Sequence, residues 1–281
     1  MKKMRLFGAA FAALFIVFSS NGQGIHPSKK EFADFPNWKI TAPGDITFKN
    51  FQPYRAVYSR TYTHNKTREA VNDKVIMTAQ RVWWFGKKAI LFEVHDVGTD
   101  KVKDTNGRTQ FYYLDEETLE MYLAVGPKAG TPQDYTSVRV QEDKIAVSKL
   151  NTATGEAEFK ETPNSKPTFG FRQIRFMMWA AMDLKVGDKI RLEPLFYAPQ
   201  SVLLPEPAIV EEQTDFRTPD GKQYRPFVVN NTNEAQSANS AKFYVIHEAP
   251  YLLGQGLYNA DDDEIYRWWL KLESWELLDG K

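Results

Sequence analysis

The chain is 281 residues long, with 36 basic and 36 acidic side chains and no formal net charge. Without a basic excess or a basic stripe it lacks the electrostatic footprint of a nucleic-acid partner or of a strongly anionic surface. It contains no cysteine, which excludes a disulfide framework and a thiolate metal site.

Residues 1–24 read as a secretory signal peptide. Lys2, Lys3 and Arg5 are basic, residues 6–18 are apolar, and Ser19, Ser20, Gly22 and Gly24 supply a small, polar cleavage region. The apolar run is short of the roughly 20 residues that a membrane-spanning helix needs. The expected product is a periplasmic or secreted protein. It is not lipidated, because no cysteine follows the apolar run.

Residues 25–53 form an irregular arm, broken by Pro27, Pro36 and Pro43 and anchored by Phe32, Phe35 and Trp38. From residue 54 the period is two. Tyr54, Ala56, Tyr58 and Tyr62 share one face, and Arg55, Val57, Ser59, Thr61 and Thr63 share the other. Residues 74–85 and 89–97 read as a hairpin turning at Gly86-Lys87-Lys88. Residues 110–114 and 119–125 read as a second, around Asp115-Glu116-Glu117-Thr118, where Asp115 can accept backbone N–H bonds. Shorter strands are expected at 135–141, 145–150 and 156–160.

Residues 169–184 read as the one sizeable amphipathic helix. Ile174, Met177, Met178, Ala181 and Met182 recur on one side, with Arg172, Arg175 and Trp179 on a flank. Strands then follow at 190–197, 208–217, 224–229, 242–247 and 266–277, with a polar loop over 231–241. The fold class is therefore mainly β: one curved antiparallel sheet or open barrel of about a dozen strands wrapped around the helix, spanning residues 54–281. Charges in both strand phases (Arg60, Arg81, Glu93, Asp96) and the ending Asp279-Gly280-Lys281 weigh against a transmembrane barrel.

Among residues able to carry chemistry, a Met-rich helix inside an aromatic sheet suits a variable apolar ligand, since Met is unbranched and adaptable. Trp83, Phe85, Met177, Met178 and Trp179 are the candidate lining, with Arg172 or Arg175 for an anionic headgroup. Ordinary core packing is the competing reading for each of them. Trp268, Trp269 and Trp275 pose the same choice.

An acid–base site has one arrangement available. Glu93 and His95 share a strand face, and Arg81 lies in the neighbouring strand. The other histidines (His26, His64, His247) make no metal pair, and Ala249-Pro250 after His247-Glu248 spoils a zinc-protease pattern. Asn259, Asp261 and Asp263 alternate as in a Ca²⁺ loop, but Glu264 replaces the required Gly and Leu270 the bidentate Glu. No nucleophile elbow, phosphate loop or dinucleotide fingerprint occurs. No metal site and no cofactor is expected.

Three stretches carry a resemblance: the hairpin from Tyr113 to Met121, the helix running into Met182-Asp183-Leu184-Lys185-Val186-Gly187-Asp188, and Phe243 to Tyr251 before the last strand. In these the chain resembles periplasmic open-barrel proteins of the lipoprotein-carrier type. The resemblance implies a curved antiparallel sheet around a helix with an apolar ligand between them, and it carries over no catalytic residue. The chain departs from that type in its extra loops at 151–168 and 231–241 and in lacking a lipidated cysteine.

The expected function is an exported, monomeric protein binding or carrying an apolar or amphiphilic, lipid-like or lipoprotein-like molecule. The alternatives are an enzyme acting on a hydrophobic substrate in the same cavity, and an envelope structural or assembly factor with a protein partner.

Overall fold

The computed structural model describes residues 37–46, 48, 50–64, 69–97, 109–128, 131–164, 167–170, 174–197, 202–231, 240–259 and 266–278. The leader, Phe32, Phe35, Arg172, His26 and the loop 232–239 lie outside these.

Strand β1 (Lys39–Thr41) comes first. An antiparallel run follows: β2 (Tyr54–His64), β3 (Ala70–Trp84), β4 (Lys87–Val97), β5 (Thr109–Asp115), β6 (Met121–Lys128), β7 (Thr131–Val140), β8 (Lys144–Asn151) and β9 (Ala157–Pro163). After the helix α1 (Arg175–Ala180) comes a second run: β10 (Lys189–Tyr197), β11 (Val202–Gln213), the small pair β12 (Phe216–Arg217) and β13 (Gln223–Tyr224), then β14 (Phe227–Asn231), β15 (Ser240–Val245), β16 (Leu253–Asn259) and β17 (Tyr266–Leu277).

Fifteen strands make one sheet in the order β1-β10-β11-β14-β15-β16-β17-β2-β3-β4-β5-β6-β7-β8-β9. Each run is a meander, and β17 joins them by pairing antiparallel with β2 from Tyr266 opposite His64 to Leu277 opposite Tyr54. The sheet is not closed into a barrel, and β1 and β9 are its edges.

The period-two pattern explains which face is buried. Tyr54, Ala56 and Tyr58 on β2, Val75, Met77 and Ala79 on β3, and Ile90, Phe92 and Val94 on β4 all face one core, while their neighbours, buried Ala89 apart, are partly covered or exposed. Each large apolar side chain so buried contributes roughly 1.5–3 kcal/mol. One cluster takes in both meanders, the helix segment and Ile46, Phe48 and Phe51 of the N-terminal arm. The arm is thus not wholly irregular: Lys39, Ile40 and Thr41 pair parallel with Ile190, Arg191 and Leu192.

The expected helix over 169–184 is corrected. It is six residues long, and every residue from Arg175 to Ala180 is buried, so it has no polar face and is not amphipathic. Its start is blocked because Phe169 bridges Glu120 and the Thr168 carbonyl accepts the Met121 N–H, which holds that stretch extended against β6. Beyond it the Met182 N–H bonds to the Trp179 carbonyl, a tighter turn that ends the helix. Phe176 packs on Phe92 of β4 with centroids 6.0 Å apart, and Trp179 on Phe243 of β15 at 5.5 Å. The short helix therefore touches both meanders.

Three further readings change. The first hairpin turns on Phe85-Gly86, with φ of 46° and 82°, so Lys87 and Lys88 belong to β4. Both central residues of a type I′ turn have positive φ, which favours Asn-Gly and makes Phe85 an unusual occupant. Leu119 leaves its expected strand for a left-handed turn, φ 58°, that tucks its side chain into the core. Strand β16 was not expected, because Gly254 and Gly256 weaken its strand pattern. Gly254 packs closely there: an added Cβ would meet the Phe216 ring at 3.2 Å, so the ring would have to give by a few tenths of an ångström.

The core face also carries charge. Arg60 Nε and Nη2 donate to the two Asp73 carboxylate oxygens (2.8 and 2.6 Å), and Nη1 donates to Asp96 Oδ1 (2.6 Å). Asp73 stands directly opposite Arg60 across β2–β3, and Asp96 one strand further on. Removing one partner of a buried ion pair typically costs about 3–5 kcal/mol. We expect Asp73→Asn to lose about 3 kcal/mol in urea unfolding; a variant as stable as the parent would show the triad to be energetically idle.

Candidate functional site

The structure separates the expected site residues into three places. Met177, Met178 and Trp179 lie in the interior at 0% exposure. Arg175 lies with them and does not reach out to a headgroup. Its Nη1 donates to Glu206 Oε1 at 2.6 Å, and its guanidinium stands over the Phe243 ring (4.5 Å) and the Trp179 ring (5.7 Å). Asn231 Nδ2 donates to the same Glu206 oxygen. His247 Nε2 meets the Met182 carbonyl, tying the end of β15 to the exit of the helix. The Trp179 indole N–H is buried and has no acceptor among the described residues.

Glu93 and His95 occupy the second place, on the sheet face opposite the core. Phe92, Val94 and Asp96, which alternate with them, are the buried ones. His95 Nδ1 pairs with Thr109 Oγ1 at 2.7 Å across β4–β5. Arg81 is in register with the core face, following Val75, Met77 and Ala79 along β3. It donates to Glu116 Oε1 (2.7 Å) and to the Phe51 carbonyl (2.6 Å), tying the arm to the rim. The three acid–base candidates are thus split between opposite faces and do not converge.

Trp83 and Phe85 form the third place, the tip of the β3–β4 hairpin. They are 71% and 82% exposed, the most exposed large apolar side chains described. Sequence reading missed their neighbours, because cross-strand register brings them in. The Trp84 ring sits 4.6 Å from Tyr113 and meets Phe85 edge-on at 4.9 Å. The Arg139 guanidinium lies over Phe85 at 5.8 Å, and the Lys87 ammonium over Tyr122 at 5.4 Å. Trp83 stands opposite Lys88 in register. The result is a convex aromatic knob edged by cations.

The adjoining β5–β6 turn holds its own acid. The Asp115 carboxylate accepts from the Tyr122 hydroxyl (2.6 Å), the Glu117 and Thr118 N–H groups (2.9 and 2.8 Å) and the Thr118 hydroxyl (3.0 Å). Burial alone raises its pKa, but these hydrogen bonds outweigh burial and hold it below its ordinary value. Burial and the nearby Asp115 charge push the Tyr122 hydroxyl up.

No protein family and no curated protein matches the chain. Among solved structures it is similar to a β-barrel-like protein of a domain of unknown function, DUF1849, from Brucella abortus. The identity is 10%, the match covers 82% of this chain and 99% of that one, and the TM-score is 0.49.

Two outcomes follow. Arg175→Met should lose about 3–5 kcal/mol by stranding Glu206, while Arg175→Met with Glu206→Leu should recover most of it; a double variant no better than the single would deny the coupling. The depressed Asp115 pKa contributes stability that is present above its ordinary value of 3.8 and is lost as the pH falls below it. The parent's urea midpoint should therefore fall more steeply below pH 3.8 than that of Asp115→Asn; parallel curves would contradict this.

Proposed function

We propose that the protein is an exported, non-catalytic binding protein of the cell envelope that holds an apolar or amphiphilic molecule at the aromatic rim of its sheet. One contrast supports this reading: Met177, Met178 and Trp179 fill the interior at 0% exposure, while Trp83 and Phe85 stand out at the hairpin tip. Withdrawing Phe176, Met177, Met178 and Trp179 from the core would cost roughly 1.5–3 kcal/mol each. That sum approaches the 5–15 kcal/mol that typically holds a whole domain together. Covering two exposed aromatics gains rather than costs, at roughly the same value per side chain. The leader-like residues 1–24 support export, and the split of Arg81 from Glu93 and His95 supports a role without catalysis.

A second reading keeps the ligand inside, as the likeness to the lipoprotein-carrier type implies. The buried Trp179 N–H without an acceptor among the described residues favours it, since an interior ligand with a polar end would satisfy that donor.

Calorimetric titration with a monomeric short-chain lysophospholipid separates the two. On the rim reading, Trp83→Ala with Phe85→Ser weakens binding at least tenfold and Met177→Ala leaves it unchanged. A loss on Met177→Ala with none at the rim would move the site to the interior.

A further inference from the structure

We propose that the β3–β4 tip docks on the surface of a phospholipid bilayer; this rests on the rim reading and names its partner. The tip's shape is the first argument. A cavity covers most of a small ligand's surface, whereas an exposed tip covers only the side of an amphiphile that faces it, which leaves the rest to neighbouring lipids. Trp83, Trp84 and Phe85 cap a two-residue turn, with Trp83 continuing the core-facing register of β3 and Trp84 stacked on Tyr113 in the opposite register. A convex knob with apolar side chains on both sides suits a broad, soft interface.

Phe85 is the second. It holds φ 46°, a conformation that bulky residues adopt rarely, and at 82% exposure it gains almost no burial in return. Asn in its place would make the same turn with less strain. Packing gives the ring only the edge of Trp84 and the Arg139 guanidinium, and contact with an external apolar phase would cover the rest of it.

The third argument is charge. Lys87 and Lys88 are exposed directly behind the aromatic apex, and Arg139 lies over Phe85. The acids nearby belong to the β5–β6 turn. Glu116 is engaged by Arg81, Asp115 by Tyr122 and the turn N–H groups, Glu120 is half-buried, and Glu117 is exposed. The apex itself presents ammonium groups and aromatic rings; of the acids described nearby, Glu120 is close enough to Lys87 to interact with its ammonium group. Trp and Tyr at the headgroup level with Lys reaching for phosphate is the pattern of a membrane–water interface. Because every phospholipid carries a phosphate, a chain with no net charge can use it. Binding should persist in moderate salt and come mainly from the rings.

The test is flotation with vesicles of phosphatidylcholine and phosphatidylglycerol. It uses the chain from residue 25 onward, so that the apolar segment 6–18 contributes nothing. Every buried core residue identified lies within 38–272. The parent should float, and vesicles should shift its tryptophan emission to the blue. Trp83→Ala with Phe85→Ser should lose at least tenfold in vesicle affinity, and Lys87→Glu with Lys88→Glu severalfold, with circular dichroism unchanged in both. Binding of monomeric lysophospholipid without vesicle binding would overturn the bilayer and leave the rim reading standing. Binding of neither would overturn both and leave a protein as the occupant of the knob. Variants that float as well as the parent would remove the tip from the contact.

Discussion

The pairing of β17 with β2 is the constraint on which the rest depends. Each meander is built from neighbours in sequence and needs little chain closure. The contact between residues 266–277 and 54–64 spans most of the chain and converts two sheets into one. Only then do residues of β4 and β15 face the same interior and grip the helix between them. Such a long-range contact is entropically costly to close.

Among the described residues, that shared interior carries two sets of buried charges, each joining separate elements. Arg60 joins β2, β3 and β4 through Asp73 and Asp96. Arg175 joins the helix to β11 through Glu206. Buried pairs add little net stability compared with well-packed apolar residues. They do penalise wrong registers heavily, because a slip of one residue strands a charge in the core. The Arg175–Glu206 bond ties the apolar helix of Phe, Met and Trp to β11.

Much of the fold was legible in the sequence because period-two patterning survives wherever one face is buried. The strand at 54–64, the hairpin around residue 86 and the final strand at 266–277 all carry it. Local pattern failed where tertiary contacts decide. The helix stops short because Thr168 and Phe169 are claimed by β6, a partner nearly fifty residues away. Strand β16 is hidden by its glycines, one of which, Gly254, packs against Phe216 elsewhere in the chain. For the site, residue type marked Trp83 and Phe85 as unusual but could not say which way they face. Tyr113, Tyr122 and Arg139 join them only through register across β4 to β7. The buried fate of Arg175 was equally hidden, since Glu206 reaches it from β11, 31 residues further along the chain.

An unclosed sheet has two free edges, and free edges are templates for runaway strand addition. Here β1 is three residues long and β9 is exposed along nearly all its length, carrying Glu158, Lys160 and Glu161 and ending at Pro163. A stray strand arriving at β9 would meet alternating charge and then a residue with no N–H to offer. Charge and proline on β9 and the shortness of β1 thus discourage strand addition at the two edges of the open sheet.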